Sequence, residues 1–97
     1  MGKLENKFQA DLKKEIKATF DGCIVMKADA NEIQGIPDLL ILHKDKWASL
    51  ECKKDKKASK RPNQDYYVNK MNSMAFSRFI SPENKEEVLN ELKDYFT

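Results

Sequence analysis

The sequence predicts an α/β domain in which helices flank a mixed central sheet. Three segments carry apolar residues at helical spacing, and four short apolar runs of strand length lie between them. These segments follow one another in the order αβββαβα. The chain has no repeat, linker or change in composition that would divide it, so residues 1–97 are expected to form a single domain.

An apolar stripe predicts the first helix, in a segment otherwise rich in Lys, Glu and Gln. The stripe consists of Leu4, Phe8, Leu12, Ile16 and Phe20. Asp21 and Gly22 are expected to end this helix. Residues 23–26 then predict a short buried strand, and residues 28–35 predict a polar loop.

A hairpin is predicted at the centre of the chain, where two apolar runs are separated by the four residues 43–46. The runs are residues 39–42 and 47–52. A two-residue turn at Lys44 and Asp45, or a loop of all four residues, gives one and the same pairing register. In either case Asp38 faces Glu51 across the hairpin.

The second half of the chain predicts a helix, a strand and a helix. The first of these helices is expected to begin near Pro62, a residue favoured at the first helical position, and to run to about Ala75. Its helical spacing is carried by Gln64, Tyr67, Val68, Met71 and Met74. Residues 76–80 predict a fourth strand, and Ser81-Pro82-Glu83 predicts the start of the last helix with Ser81 as its cap.

Composition excludes several classes of protein. Its cysteines are Cys23 and Cys52, and its single histidine is His43. These are too few for a disulfide framework or a zinc site, and they argue against a catalytic triad with a histidine base. No apolar run exceeds four residues and no signal-peptide pattern precedes the first helix, so we expect a cytoplasmic protein without membrane association.

Positive charge is concentrated in residues 53–61, which carry six cations and one acid although the net charge of the whole chain is only +2. Such a segment can bind a phosphate backbone by releasing counterions. A solvated basic loop is the alternative, and charge alone favours that alternative.

The predicted hairpin brings together groups that suit metal-dependent chemistry. Side chains alternate along a strand, so Lys53 projects to the same side as Asp38 and Glu51, whereas Cys52 projects to the other. Two carboxylates suit Mg²⁺ or Mn²⁺, and a neighbouring lysine can hold or deprotonate an attacking water, as phosphodiester hydrolysis requires. The alternative is a set of surface ion pairs. The adjacent apolar runs argue against it, because they predict a sheet covered on both faces.

Three motifs in the chain resemble the PD-(D/E)XK nuclease superfamily. They are Gly35-Ile36-Pro37-Asp38, Glu51-Cys52-Lys53 and Gln64-Asp65-Tyr66-Tyr67. Within that superfamily the chain is most similar to the small virus-type replication-repair nucleases (VRR-NUC) of phages and bacteria. The likeness extends from Glu5 to residues 81–83, and it implies a restriction-endonuclease-like core.

The resemblance also implies roles for single residues. Asp38 and Glu51 would bind the metal, with the Cys52 backbone carbonyl as a third ligand and Glu5 as a supporting acid. Lys53 would orient or deprotonate the water. For Glu5 an exposed helix acid is the alternative.

Further residues would line the site or hold DNA. Gln64 would act with the catalytic groups, and its alternative is a capping or solvated role. Tyr67 is equally consistent with a core position. The predicted nucleic-acid contacts are Lys27, Lys54, Lys56, Lys57, Lys60, Arg61 and Tyr67. At Arg61 many relatives have a Ser before the Pro, a departure that concerns the cap of the second helix.

The sequence therefore predicts a Mg²⁺- or Mn²⁺-dependent deoxyribonuclease. Branched DNA such as a four-way (Holliday) junction is the substrate class that the resemblance implies, and a homodimer is expected by the same analogy. The alternative is a catalytically silent nuclease-like fold that binds nucleic acid or a protein as a regulator. A purely structural protein has no feature in its favour.

Overall fold

A computed structural model describes residues 3–97, with side chains from residue 5 onward, so the side chain of Leu4 lies outside the described residues. The described helices and strands have the predicted order αβββαβα. They are α1 (Lys3–Thr19), β1 (Ile24–Lys27), β2 (Leu39–His43), β3 (Lys46–Cys52), α2 (Gln64–Met74), β4 (Ser77–Ile80) and α3 (Lys85–Phe96). The predicted α/β class is confirmed.

The four strands form one mixed sheet in the order β1-β2-β3-β4. The first three strands are antiparallel, and β4 pairs parallel to β3. The β2–β3 turn consists of Lys44 and Asp45, and Lys44 has a left-handed φ of 57°. Leu39 pairs with Leu50, which confirms the predicted register. That register brings Asp38 and Glu51 to the same end of the sheet.

The hydrophobic core lies on the face of the sheet that packs against α1 and α3. Its fully buried side chains include Leu12, Ile16, Leu39, Ile41, Leu50 and Leu92. Burial of each such side chain stabilises the fold by about 1.5–3 kcal/mol. The predicted stripe of the first helix is confirmed from Leu12 onward, and Phe8 packs partly buried against the core.

The prediction that the first strand is buried is wrong for two of its side chains. Ile24 is 57% exposed and Met26 is 46% exposed, whereas Val25 joins the core. The reason is the position of α2, which packs on β3 and β4 and leaves β1 and β2 uncovered on that face. The expected cover on both faces is therefore present only at β3 and β4.

Both later helices begin after their predicted starts. Helix α2 begins two residues after Pro62, because Asn63 has a left-handed φ of 71° that cannot continue a helix. Helix α3 begins at Lys85, because the Asn84 side chain accepts a hydrogen bond from the Ser81 N–H and donates one to the Phe79 carbonyl.

Met74, which was expected on the packed stripe of the second helix, is 66% exposed. It is the last residue of α2, one turn after the half-buried Met71. Among the described helices, none is long and apolar enough to cross a membrane.

Gly35, in the 28–37 loop, packs closely against Asn63, the residue that precedes α2. Its φ is +91°, and a Cβ at this position would lie 2.6 Å from the Asn63 Cβ and 2.8 Å from the Asn63 carbonyl carbon. We expect Gly35→Ala to cost about 3 kcal/mol or more, because backbone strain and steric overlap add. Urea unfolding measures this cost.

Gly22→Ala is the matched control for that measurement. Gly22 also has a positive φ, of +85°, but a Cβ there meets nothing within 4 Å. Its substitution should therefore cost only the backbone strain, about 1–2 kcal/mol. Equal destabilisation by the two substitutions would show that the contact with Asn63 is unimportant.

Candidate active site

The hairpin register places the carboxylates of Asp38 and Glu51 side by side on the face of the sheet that carries α2. Asp38 Oδ2 accepts a hydrogen bond from the Cys52 N–H at 2.9 Å, which fixes this carboxylate against the opposite strand. Glu51 is only 3% exposed and Lys53 is 8% exposed. The convergence that the alternation of side chains predicts is therefore present.

These groups line a cavity of about 250 Å³ at the open end of the hairpin. Its lining includes Glu5, Asp38, Glu51, Lys53, Lys54, Ser59, Arg61 and Gln64. The cavity thus joins the start of α1, the hairpin, the basic segment 53–61 and the start of α2. Apart from Ala58 and Ser59, every residue that lines the cavity is a predicted catalytic, metal-binding or DNA-binding residue.

Gln64 connects the acidic and basic groups of the site. Its Nε2 donates to Glu51 Oε2 at 3.0 Å, and its Oε1 accepts from Lys53 Nζ at 2.6 Å and from the Arg61 N–H at 2.8 Å. Lys53 Nζ also donates to the Ser59 carbonyl at 3.2 Å. Only one orientation of the amide satisfies these partners, because its oxygen must face the ammonium group. Gln64 therefore contacts Glu51 and Lys53, the predicted catalytic groups, and also accepts the Arg61 N–H as a local cap would.

Burial dominates the electrostatics of the two carboxyl groups. It raises the pKa of Glu51 to about 8, and the charge of Asp38 adds to this rise while Lys53 opposes it. Burial likewise raises the pKa of Asp38, with a further contribution from the charge of Glu5. The nearby positive charge does not compensate for the desolvation of the two acids, so the pair favours uptake of a proton or a cation.

One atom of the pair has no donor. Glu51 Oε1 is buried and, among the described residues, makes no hydrogen bond. A buried acceptor without a hydrogen bond costs about 1–3 kcal/mol of stability, and a charged acceptor costs more. Either a proton shared with Asp38 or a bound cation removes this cost.

The donor set fits Mg²⁺ or Mn²⁺ better than a metal that needs an all-protein cage. No group of three His, Cys, Asp or Glu side chains in the described part of the chain could hold a metal ion. Mg²⁺ commonly binds through one or two carboxylates and keeps several waters. Asp38 and Glu51 would supply those carboxylates, and Glu5 lies across the same cavity.

The remaining predicted contacts are placed in different environments. Lys56 and Lys60 line a second cavity that adjoins Lys53, and Lys57 is exposed. Tyr67 is half-buried one turn after Gln64, with its ring edge-on to Tyr66 at 5.0 Å. Lys27 is not brought to the carboxylates.

Lys27 lies on the other face of the sheet because of simple alternation. It is the last residue of β1, two positions after the buried Val25, so both side chains project from the same face of the sheet. Its partner in the sheet is Leu39, which belongs to the core face, whereas Glu51 belongs to the opposite face. The sequence predicts Lys27 near the end of the first strand, and the structure agrees. The alternation of side chains, however, directs Lys27 to the face opposite the carboxylates.

Two features of the site had no clear signal in the sequence. One is the Ser59 carbonyl, since a backbone acceptor does not depend on the residue type. The other is Phe79, the register partner of Glu51 on β4, whose ring centroid lies 4.4 Å from Lys60 Nζ. Its place could have been found only by knowing that β4 pairs parallel to β3.

The raised pKa of Glu51 predicts how the stability of the metal-free protein depends on pH. A carboxyl group with a pKa of about 8 when folded and a usual pKa of 4.5 binds its proton more tightly in the folded state. Its contribution to stability is therefore complete below about pH 4.5 and is lost as the pH rises through about 8. Asp38 acts in the same direction.

We therefore expect the urea midpoint, measured with chelator, to fall steadily across that pH window. Glu51→Gln should remove most of the slope, because the amide does not titrate. Glu86→Gln, which changes an exposed acid on α3, should keep the slope. If the urea midpoint of the wild type is the same at about pH 5 and at about pH 8, the pKa of Glu51 is not raised.

Comparison with family models, with curated proteins and with solved structures found no match to the chain.

Proposed function

We propose that the chain is a Mg²⁺- or Mn²⁺-dependent deoxyribonuclease of the PD-(D/E)XK type, most similar to the VRR-NUC group. The observation that carries the proposal is the pairing of Asp38 with the buried Glu51, which has one carboxylate oxygen without a donor. A structural ion cluster would neutralise its charges and satisfy its oxygens. Here the buried lysine contacts an amide and a carbonyl instead, and the two acids remain available for a cation.

Each group has a distinct part in the proposed reaction. A bound Mg²⁺ or Mn²⁺ would polarise a phosphoryl oxygen and stabilise the negative charge that develops on it. Asp38 and Glu51 would hold that ion, and Gln64 would keep the Glu51 carboxylate in place through its 3.0 Å hydrogen bond.

Lys53 is suited to orient the attacking water. An ammonium group has three N–H donors, and two of them are directed to Gln64 and Ser59. The third is available to a water molecule or to a phosphoryl oxygen in the cavity. A buried, doubly anchored ammonium loses little freedom when the substrate arrives, which favours its use in the chemical step.

The basic segment provides the complementary charge for DNA. Lys54 and Arg61 lie at the edge of the carboxylate cavity and are exposed. They offset the acids at the mouth of the site, where phosphates would otherwise be repelled. Branched DNA, including four-way junctions, remains the substrate class that the family resemblance implies, and the cytoplasm of a bacterial or phage-infected cell is the proposed location.

A cleavage panel tests this proposal. Linear duplex, single strand, flap and four-way junction would each be incubated with Mg²⁺, with Mn²⁺ and with chelator. We expect cutting of at least one substrate with either metal and none with chelator. Retention of DNA in a gel without cutting in any metal would favour the alternative, a silent nucleic-acid-binding regulator. If the protein neither binds nor cuts any of these substrates, both the nuclease proposal and the regulator alternative are refuted.

We also propose that the protein is a homodimer that forms through the uncovered half of the sheet. Ile24, Met26 and Leu42 are exposed side chains on one face of β1 and β2. Contiguous exposed apolar groups are typical of interaction sites. The three side chains carry no charge, so this face suits an apolar sheet surface and not a phosphate backbone. A second copy presents the same surface, and a two-fold axis would let each sheet cover the other.

Sedimentation measures this association. Ile24→Lys should shift the protein to a monomer, because the interface would bury an unpaired charge. Ile33→Lys is the matched control, since Ile33 is also exposed but lies in the 28–37 loop outside this face. A monomeric wild type at high protein concentration would refute the dimer without affecting the proposed chemistry.

A further inference from the structure

A second cavity adjoins the carboxylate cavity on the side of β4. Its volume is about 140 Å³, and the two cavities share Lys53 and Ala58 as lining residues. Phe79 is the register partner of Glu51, so the two side chains project from neighbouring strands on the same face of the sheet. The second cavity therefore lies beside the groups that we propose cut DNA.

The cavity combines an apolar floor with a cationic rim. Phe79 and Ala58 provide the apolar side chains of the lining, since the Ile80 side chain is buried in the core, and Lys56, Lys60 and Asp55 also line the cavity. Lys60 Nζ lies 4.4 Å from the centroid of the Phe79 ring and 3.0 Å from Asp65 Oδ1. Phe79 is only half-buried, and the Lys60 ammonium group lies over one face of its ring.

This combination matches a planar ring that carries a phosphate. The cavity volume of about 140 Å³ is close to the roughly 150 Å³ of a cavity that holds benzene, so it matches a single aromatic ring and not a base pair. An aromatic floor favours a stacked base, and the cations of the rim favour the phosphate that is attached to it. A nucleotide base with its phosphate has both properties.

We infer that the cavity between Lys53 and Phe79 binds one unpaired base of the DNA strand that is cut. This inference rests on the proposed nuclease function and specifies its substrate. Phe79 stacks against the base in place of the Lys60 ammonium group, which moves from the ring to the adjoining phosphate. Lys56 contacts the same phosphate. Because the cavity adjoins the carboxylate site through Lys53, the base and the scissile phosphate would belong to neighbouring nucleotides of one strand. A free nucleotide has the same chemistry and is the other source to be distinguished.

Binding without cleavage provides the test. A fluorescein-labelled thymidine oligonucleotide would be titrated with the protein in chelator, and anisotropy would give the affinity. We expect Phe79→Leu to weaken binding about tenfold or more, as loss of a stacked base does. Phe79→Trp should retain the affinity. Tyr66→Leu, which removes an exposed aromatic ring of α2 outside the cavity, should change it little.

Two further measurements separate the parts of the inference. A blunt, fully paired duplex should bind Phe79→Leu as well as wild type, because it offers no base to the cavity. The Lys56→Ala/Lys60→Ala double variant should reduce the slope of log affinity against log salt, whereas Phe79→Leu should leave that slope unchanged. Circular dichroism and urea unfolding confirm that each variant is folded.

The possible failures are distinguishable. If folded Phe79→Leu binds the oligonucleotide as tightly as wild type, the base-binding cavity is refuted while the nuclease proposal stands. If thymidine monophosphate binds as tightly as the oligonucleotide and with the same dependence on Phe79, the cavity is a site for a free nucleotide and not for the strand. If no DNA is bound or cut under any condition, both the function and the inference are refuted.

Discussion

Exchange of Glu51 for Gln, or of Asp38 for Asn, is expected to lower DNA cleavage by about a thousandfold or more. Each exchange removes a charged ligand from a pair that, among the described residues, belongs to no group of three side chains able to hold a metal ion. Metal-dependent stabilisation of the reacting phosphate is worth several kcal/mol, and about 1.4 kcal/mol corresponds to a tenfold change in rate. The rate would be measured in single-turnover assays with Mg²⁺.

The same variants are expected to be folded, and Glu51→Gln should be more stable than wild type near neutral pH. Burial raises the pKa of Glu51 to about 8, so the charged form of this side chain opposes folding. In Asp38→Asn the amide oxygen can still accept the Cys52 N–H, which the Asp38 carboxylate accepts at 2.9 Å, whereas Asp38→Ala would leave that donor unpaired. The amide variants therefore separate loss of metal binding from loss of structure.

Glu86→Gln is the control, because it removes an exposed acid of α3. It should cut DNA at the wild-type rate. If Glu51→Gln or Asp38→Asn also cuts at the wild-type rate in Mg²⁺, that residue is not an essential ligand. Calorimetric titration of Mg²⁺ into each variant gives an independent readout of the same assignment.

Exchange of Lys53 for Met is expected to slow the chemical step by about a hundredfold or more while DNA affinity changes little. Lys53 is buried, so it contributes little to the long-range attraction of DNA, and its ammonium group lies within the carboxylate cavity. Methionine is unbranched and fills similar space. Gln64 Oε1 would still accept the Arg61 N–H, which limits the structural disturbance.

Lys54→Met is the matched control, since Lys54 is the next residue and lines the same cavity but is exposed. It should weaken DNA binding and reduce its salt dependence, while the rate at saturating DNA stays the same. Equal losses of affinity in the two variants, with the saturating rate unaffected in both, would show that Lys53 is simply another DNA-binding cation.

The central part of the site could be predicted because its geometry is local. The pairing of Leu39 with Leu50 follows from a two-residue turn and from the alternation of side chains, and both can be read from the sequence. The same two rules place Asp38, Glu51 and Lys53 together. No packing of distant segments has to be known.

The rest depended on contacts between distant segments. An apolar run predicts a strand, but it does not reveal which face of the sheet a helix covers, so the exposure of Ile24 could not be foreseen. Ser81 satisfied the local rules for a cap, yet the Asn84 side chain binds its N–H and the Phe79 carbonyl instead. The Asn63 conformation likewise accompanies a close approach of Gly35 from another loop.

The basic segment is anchored at both of its ends by one side chain. Lys53 begins the segment and Arg61 ends it, and the Gln64 amide oxygen accepts from the ammonium group of the first and from the backbone N–H of the second. The Ser59 carbonyl adds a further contact to Lys53. Residues 54–58 lie between these anchors and take part in none of these hydrogen bonds. Their side chains can therefore change without displacement of the ammonium group, so in the proposed nuclease the DNA preference can diversify while Lys53 keeps its position.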